Sequence, residues 1–108
     1  MKEIRHMILC DSHSDRVDIH VSASLIGGRL SLSCQDLGPA VEEFWGDEDY
    51  EYWYTFGQEA TAKLLTVING TEDPEAAIFR NFSGPEGCRK LRALCYKEGI
   101  KYRFDSYV

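Results

Sequence analysis

Arg16-Val17-Asp18-Ile19-His20-Val21-Ser22 alternates polar and apolar side chains at every step. A period of two is what a strand buried on one face requires, so Val17, Ile19 and Val21 point to a core. Arg16, Asp18, His20 and Ser22 then face solvent. After a turn at Gly27-Gly28, Leu30, Leu32 and Cys34 alternate in the same way with Ser31, Ser33 and Gln35. Upstream, Glu3 to Cys10 is rich in β-compatible side chains, and Asp11-Ser12-His13-Ser14-Asp15 has the composition of a turn. Three strands joined by short loops predict an antiparallel meander.

The pattern then changes period. Asp36-Leu37-Gly38-Pro39 starts a helix, because proline is preset for the first turn. Ala40, Val41, Phe44 and Trp45 share one helical face, and Gly46 is suited to a left-handed stop. Asp47-Glu48-Asp49 is a loop. Tyr50 to Phe56 returns to period two, with Tyr50, Tyr52, Tyr54 and Phe56 on one side and Glu51, Trp53 and Thr55 on the other. Aromatic rings on both sides predict a strand covered on both faces, or covered on one and exposed for binding on the other. Gln58 to Ile68 is a helix with Ala60, Leu64, Leu65, Val67 and Ile68 on its apolar stripe, and Thr55 with Gln58 reads as a capping box. Asp73-Pro74-Glu75 opens a helix running through Phe82. Ser83 with Glu86 reads as a second capping box, leading into a helix with Cys88, Leu91, Leu94 and Cys95 inward and closed by Gly99. Ile100 to Val108 alternates once more. The order βββ-α-β-ααα-β over one domain, residues 1–108, is α+β: a mostly antiparallel sheet of about five strands with helices packed on one face.

The most unusual run is Glu42-Glu43-Phe44-Trp45-Gly46-Asp47-Glu48-Asp49-Tyr50-Glu51-Tyr52-Trp53-Tyr54-Thr55-Phe56. It holds six carboxylates and seven aromatic rings in fifteen residues, and no Lys or Arg occurs between Arg29 and Lys63. Residues 1–56 carry eleven acids against four bases, and residues 57–108 seven against eight. The net charge of −6 therefore originates in the first half. Concentrated negative charge costs folding energy through self-repulsion, but it attracts a basic partner and speeds its arrival. The acidic balance also argues against nucleic acid as a direct ligand, since phosphate contacts need a basic footprint. No apolar run has the length of a membrane span. The first residues lack the apolar core of a signal peptide, so a cytoplasmic location is expected.

Chemical sites read weakly. His6, His13 and His20 lie seven residues apart. A hairpin turning at residue 13 would set His6 across from His20, with Asp11 and Asp15 poorly placed to complete a metal site. A slip of one residue would put the two rings on opposite faces. An ordinary cross-strand polar pair is the plainer reading, and no metal or cofactor is expected. Cys10, Cys34, Cys88 and Cys95 match no CxxC pattern and read as reduced core residues. Cys88, near a helix start, is the best nucleophile candidate, yet its spacing from Leu91 and Cys95 suits core filling. Asp47-Glu48-Asp49 lacks the ligand alternation and glycine of an EF-hand loop. GxSxG, Walker and GxGxxG motifs are absent.

What remains is the acid-and-aromatic run. Glu42, Glu43, Trp45, Asp47, Glu48, Asp49, Tyr50, Glu51 and Trp53 are the candidate partner-binding residues, the rings as anchors and the carboxylates against a cationic surface. The competing reading puts Phe44, Trp45, Tyr52, Tyr54 and Phe56 in the core, with the acids merely solvated. The run Gln35 to Asp47, continued by Asp49-Tyr50-Glu51-Tyr52-Trp53, resembles small bacterial proteins. Proteins of this size and composition include immunity proteins of polymorphic toxin and contact-dependent growth inhibition systems. That resemblance, which covers about half the chain, implies a cytoplasmic protein that binds one cognate toxin domain, a basic protein such as a nuclease, and blocks it without catalysis. It transfers no family residues, since immunity proteins share no active-site signature. The alternatives are a mimic of nucleic acid competing for the same target, a small enzyme using a Cys/His or His-metal site, and a regulatory or scaffold interaction domain.

Overall fold

The computed structural model describes residues 2–107. Strands β1 (Ile4–His13), β2 (Asp18–Ile26), β3 (Arg29–Leu37), β4 (Asp49–Thr55) and β5 (Arg103–Tyr107) form one sheet in the order β1-β2-β3-β4-β5. Every neighbouring pair is antiparallel. Helix α1 (Pro39–Trp45) joins β3 to β4, and α2 (Gln58–Val67), α3 (Pro74–Phe82) and α4 (Gly87–Glu98) lie between β4 and β5. The architecture is the α+β arrangement that the alternation predicts. Among the described residues, no helix is long and apolar enough to cross a membrane.

The period of two decides which face is covered. Val21, Ala23, Leu25, Leu30, Leu32, Cys34 and Tyr54 are buried on one side, in one cluster with Leu64, Leu65, Ile78, Phe82 and Leu91 from the three long helices. Each fully buried large apolar side chain stabilises by roughly 1.5–3 kcal/mol. The other side carries Ser22, Ser24, Ser31, Ser33 and Thr55, all partly or fully exposed. Trp53 stands among them, paired in register with Ser33 on one side and Asp105 on the other. Strand β4 is thus covered on one face only.

Local signals hold in most places. Gly27 and Gly28 both take positive φ, 61° and 73°, as a tight two-residue hairpin demands. The Asp73 carboxylate accepts from the Ala76 N–H at 3.2 Å and caps α3. Gly46 and Gly99 end α1 and α4 in the left-handed region.

Several expectations need correction. Strand β1 runs on to His13, and the turn is confined to residues 14–17, where the Ser14 hydroxyl accepts from the Val17 N–H and donates to the Val17 carbonyl. Neither proposed capping box forms. Thr55 belongs to β4, α2 starts after Gly57 without a side-chain cap, and Gln58 instead donates to the Gly27 carbonyl at 3.0 Å. Ser83 ends α3 in extended conformation, and Glu86 turns its carboxylate outward to Arg89 at 2.7 Å. The last strand begins at Arg103 rather than Ile100, which is buried in the core instead. Its expected final residue, Val108, lies outside the described residues.

Candidate functional site

Antiparallel pairing brings distant acids to one end of the sheet. The register sets Asp11 beside His20, His20 beside Gln35, and Gln35 beside Glu51. One row further out, His13 faces Asp18, Asp18 faces Leu37, and Leu37 faces Asp49. Asp18 and Asp49 are two strand spacings apart, about 10 Å. That is on the order of the screening length in physiological salt, so their potentials add. Loops complete the gathering. The Ala40 N–H donates to the Arg16 carbonyl and the Gly38 N–H to the Glu48 carbonyl, each at 2.9 Å. Gly38 is needed there: its φ is 123°, and a Cβ would lie 2.8 Å from the Arg16 oxygen. The loop at 14–17, helix α1 and the loop before β4 therefore meet.

Ten carboxylates come from segments 11–18 and 35–51, and Arg16 is the single Lys or Arg in them. Arg16 pairs with Glu43 at the surface. Gln35 bridges two more acids, donating to Asp49 at 3.2 Å and to Glu51 at 3.5 Å. The Asp47 carboxylate accepts from the Asp49 N–H at 3.1 Å and shapes the loop. Glu42, Glu43, Asp47 and Glu48 are exposed, while Asp49 and Glu51 are half-buried.

The aromatic members divide between the two faces. Trp45 stacks on Tyr50 at 4.6 Å, and Tyr50 on Tyr52 at 5.1 Å, on the helix side of the sheet. Phe44 meets Trp45 edge-on at one end of this ladder, Tyr54, Tyr102 and Phe56 continue it inward, and Phe104 packs on Tyr54 as a branch that stays exposed. Exposure falls along it from 79% at Phe44 and 45% at Trp45 to 1% at Tyr54 and 0% at Phe56. Helix α1 is only seven residues long and buries Val41 alone, so the apolar face expected of it is mostly bare. Trp53 lies on the opposite face of the sheet with Asp49 and Glu51. Eight of the nine candidate residues thus form a rim around one end of the sheet rather than a single flat patch, and Trp53 stands apart at mid-sheet beside Ser33.

Behind the rim is a semi-enclosed polar group. The Tyr52 hydroxyl donates to Asp36 at 3.1 Å. Burial raises the Asp36 carboxyl, and this hydrogen bond only partly offsets it. Burial also pushes the Tyr54 phenol up to about 12, although Arg92 donates to its oxygen at 2.7 Å. All four cysteines are free and buried. Cys34 and Cys88 lie 3.7 Å apart, and Cys34 is raised because its S–H is held by Cys88 and by burial. Burial raises Cys95 to about 11. Cys88 is the exception: the Cys34 S–H, and then Arg92, lower it against the opposing effect of burial, although the thiol stays enclosed.

The histidine arrangement differs from the expectation. Because the turn sits at 14–17 and β1 is irregular near Ile8 and Cys10, His20 faces Asp11, not His6. Asp11, His13 and His20 converge, their ligand atoms all within 4.8 Å of one another. His6 lies further along β1, at the edge of a shallow cavity of about 290 Å³ shared with His20 and Gln35. Only the register would have disclosed this cluster, and the alternation in the sequence leaves register open by a residue. In comparisons with known proteins, no family matches the chain, nor does any curated protein or solved structure.

Proposed function

We propose that this chain is a non-catalytic binding protein that neutralises a cognate basic toxin domain, of the nuclease kind, through the acidic end of its sheet. The observation that carries the reading is the convergence there of carboxylates from the first hairpin and from β3–α1–β4 beside exposed Phe44 and Trp45. Like charges so close oppose folding, and Arg16 is the single Lys or Arg set against them, with the Gln35 amide, the Tyr52 hydroxyl and the His13 and His20 rings as the other partners. A cationic surface would relieve that repulsion, which makes charge complementarity the natural basis for docking. Trp45 and Tyr50 supply rigid contact area at low entropic cost, and Trp53 extends it on the other face.

The test is association with the product of the adjacent gene, followed by kinetics over a range of salt. Association should slow as salt rises. Reversing Asp47, Glu48 and Asp49 together to Lys should lower the on-rate by roughly 10- to 1000-fold at low salt. Loss of the Asp47 and Asp49 side-chain bonds costs folding about 1 kcal/mol each, and circular dichroism checks that the variant stays folded. Unchanged association by this variant in modest salt removes the acidic rim from the account.

A further inference from the structure

We propose that Asp11, His13 and His20 bind a divalent transition-metal ion of the zinc class at the first hairpin. His13 Nε2 lies 3.1 Å from Asp11 Oδ1, and His20 Nδ1 lies 3.0 Å from the same oxygen. Ligands about 2.0 Å from a tetrahedral ion stand roughly 3.3 Å from one another. Both nitrogens therefore already stand near that edge length from the carboxylate oxygen, all three donors lie within 4.8 Å of one another, and a small relaxation admits the ion. Two imidazoles and a carboxylate are a donor set that suits zinc and its first-row neighbours.

The surroundings of His13 add a second observation. Its Nδ1 lies 3.4 Å from Asp18 Oδ1, so the ring is held between two carboxylates. A neutral imidazole has one N–H and can serve only one of them. With an ion on Nε2, the remaining N–H goes to Asp18, the carboxylate–histidine–metal relay that orients ligating rings. The rings of His13 and His20 meet edge-on at 5.5 Å, which leaves the ligand nitrogens facing a shared point rather than stacked faces. The four side chains are 38–63% exposed, so water completes the coordination. One position stays open towards solvent.

The site shares Asp11 and Asp18 with the acidic end, but the two readings fail independently: association with the basic partner is measured in chelator, and metal binding without any partner. Tag-free protein, stripped with chelator, is titrated with Zn²⁺ by calorimetry and with Co²⁺ by visible absorption. The wild type should bind one equivalent and give the absorption of a tetrahedral cobalt site. His13→Ala and His20→Ala should each abolish saturable binding, and Asp18→Asn should weaken it by about 10- to 100-fold. His6→Ala should leave affinity unchanged. Circular dichroism checks that these surface variants keep their fold. Absence of saturable binding by the wild type overturns the proposal, as does binding that survives loss of His13 and His20 or that depends on His6.

Discussion

The two ends of the sheet are built on opposite principles. At the end formed by the Gly27-Gly28 turn, Leu25, Leu30, Phe56 and Thr61 are all 0–1% exposed. Even the one buried polar side chain there is satisfied: Thr61 Oγ1 accepts from the Leu30 N–H at 3.0 Å and reaches the Phe56 carbonyl at 3.5 Å. At the other end, rings are left in water, acids crowd one another, and α1 covers little. Packing stabilises the first end, while the second retains charge and apolar area that folding does not use. Stability is thus concentrated at one end of the strands, and in the proposed reading recognition falls to the other.

The sharpest test of this division is one substitution made at both ends. Phe56→Ala should cost about 3–5 kcal/mol, since it empties a fully enclosed site. Phe44→Ala should change stability by no more than about 0.5 kcal/mol, as for other surface positions. Urea midpoints at constant slope measure both, and similar losses would mean that α1 is part of the core after all. A smaller effect is expected from Thr61→Val, which keeps the shape but orphans the buried Leu30 N–H, at about 1–3 kcal/mol.

The smallest effect lies at the acidic end. Burial raises the Asp36 carboxyl in the folded state, so the native protein holds that proton more tightly than the unfolded chain. The stability it contributes is fully present below the unfolded value of about 3.9 and is lost as pH climbs through the raised folded value. Asp36→Asn should remove this part of the pH dependence and raise stability at pH 7 by less than about 1 kcal/mol. An unaltered pH profile of the urea midpoint would show that Asp36 keeps its ordinary acidity.

Much of the fold was legible because alternation is a local property. Tyr50, Tyr52 and Tyr54 fall on the helix side and Glu51 and Trp53 on the other, as counting by twos requires. Asp73 and Gly99 mark helix ends through chemistry confined to one turn. The paired capping signals at Thr55–Gln58 and Ser83–Glu86 misled for the same reason. Each has the right spacing, but Thr55 is committed to a strand ladder and Ser83 to the end of the preceding helix. The acidic rim was half legible. Its Glu42–Glu51 portion is contiguous in the chain, whereas Asp11, Asp15 and Asp18 join it only by strand pairing. The Asp11–His13–His20 cluster depended on where a five-residue polar stretch chose to turn, which Ser14 decides through bonds to Val17 and composition does not.

From the order of its residues alone, this protein acquires five amphipathic strands, four helices and a first half loaded with carboxylates, because burial periodicity and charge are carried by near neighbours. Register, the crowding of acids from separate strands at one end, and the difference between a sealed Phe56 and a bare Phe44 come from the folded whole. Those outcomes depend on which distant backbones pair and how far three helices extend across a sheet, and no short stretch of chain contains that information.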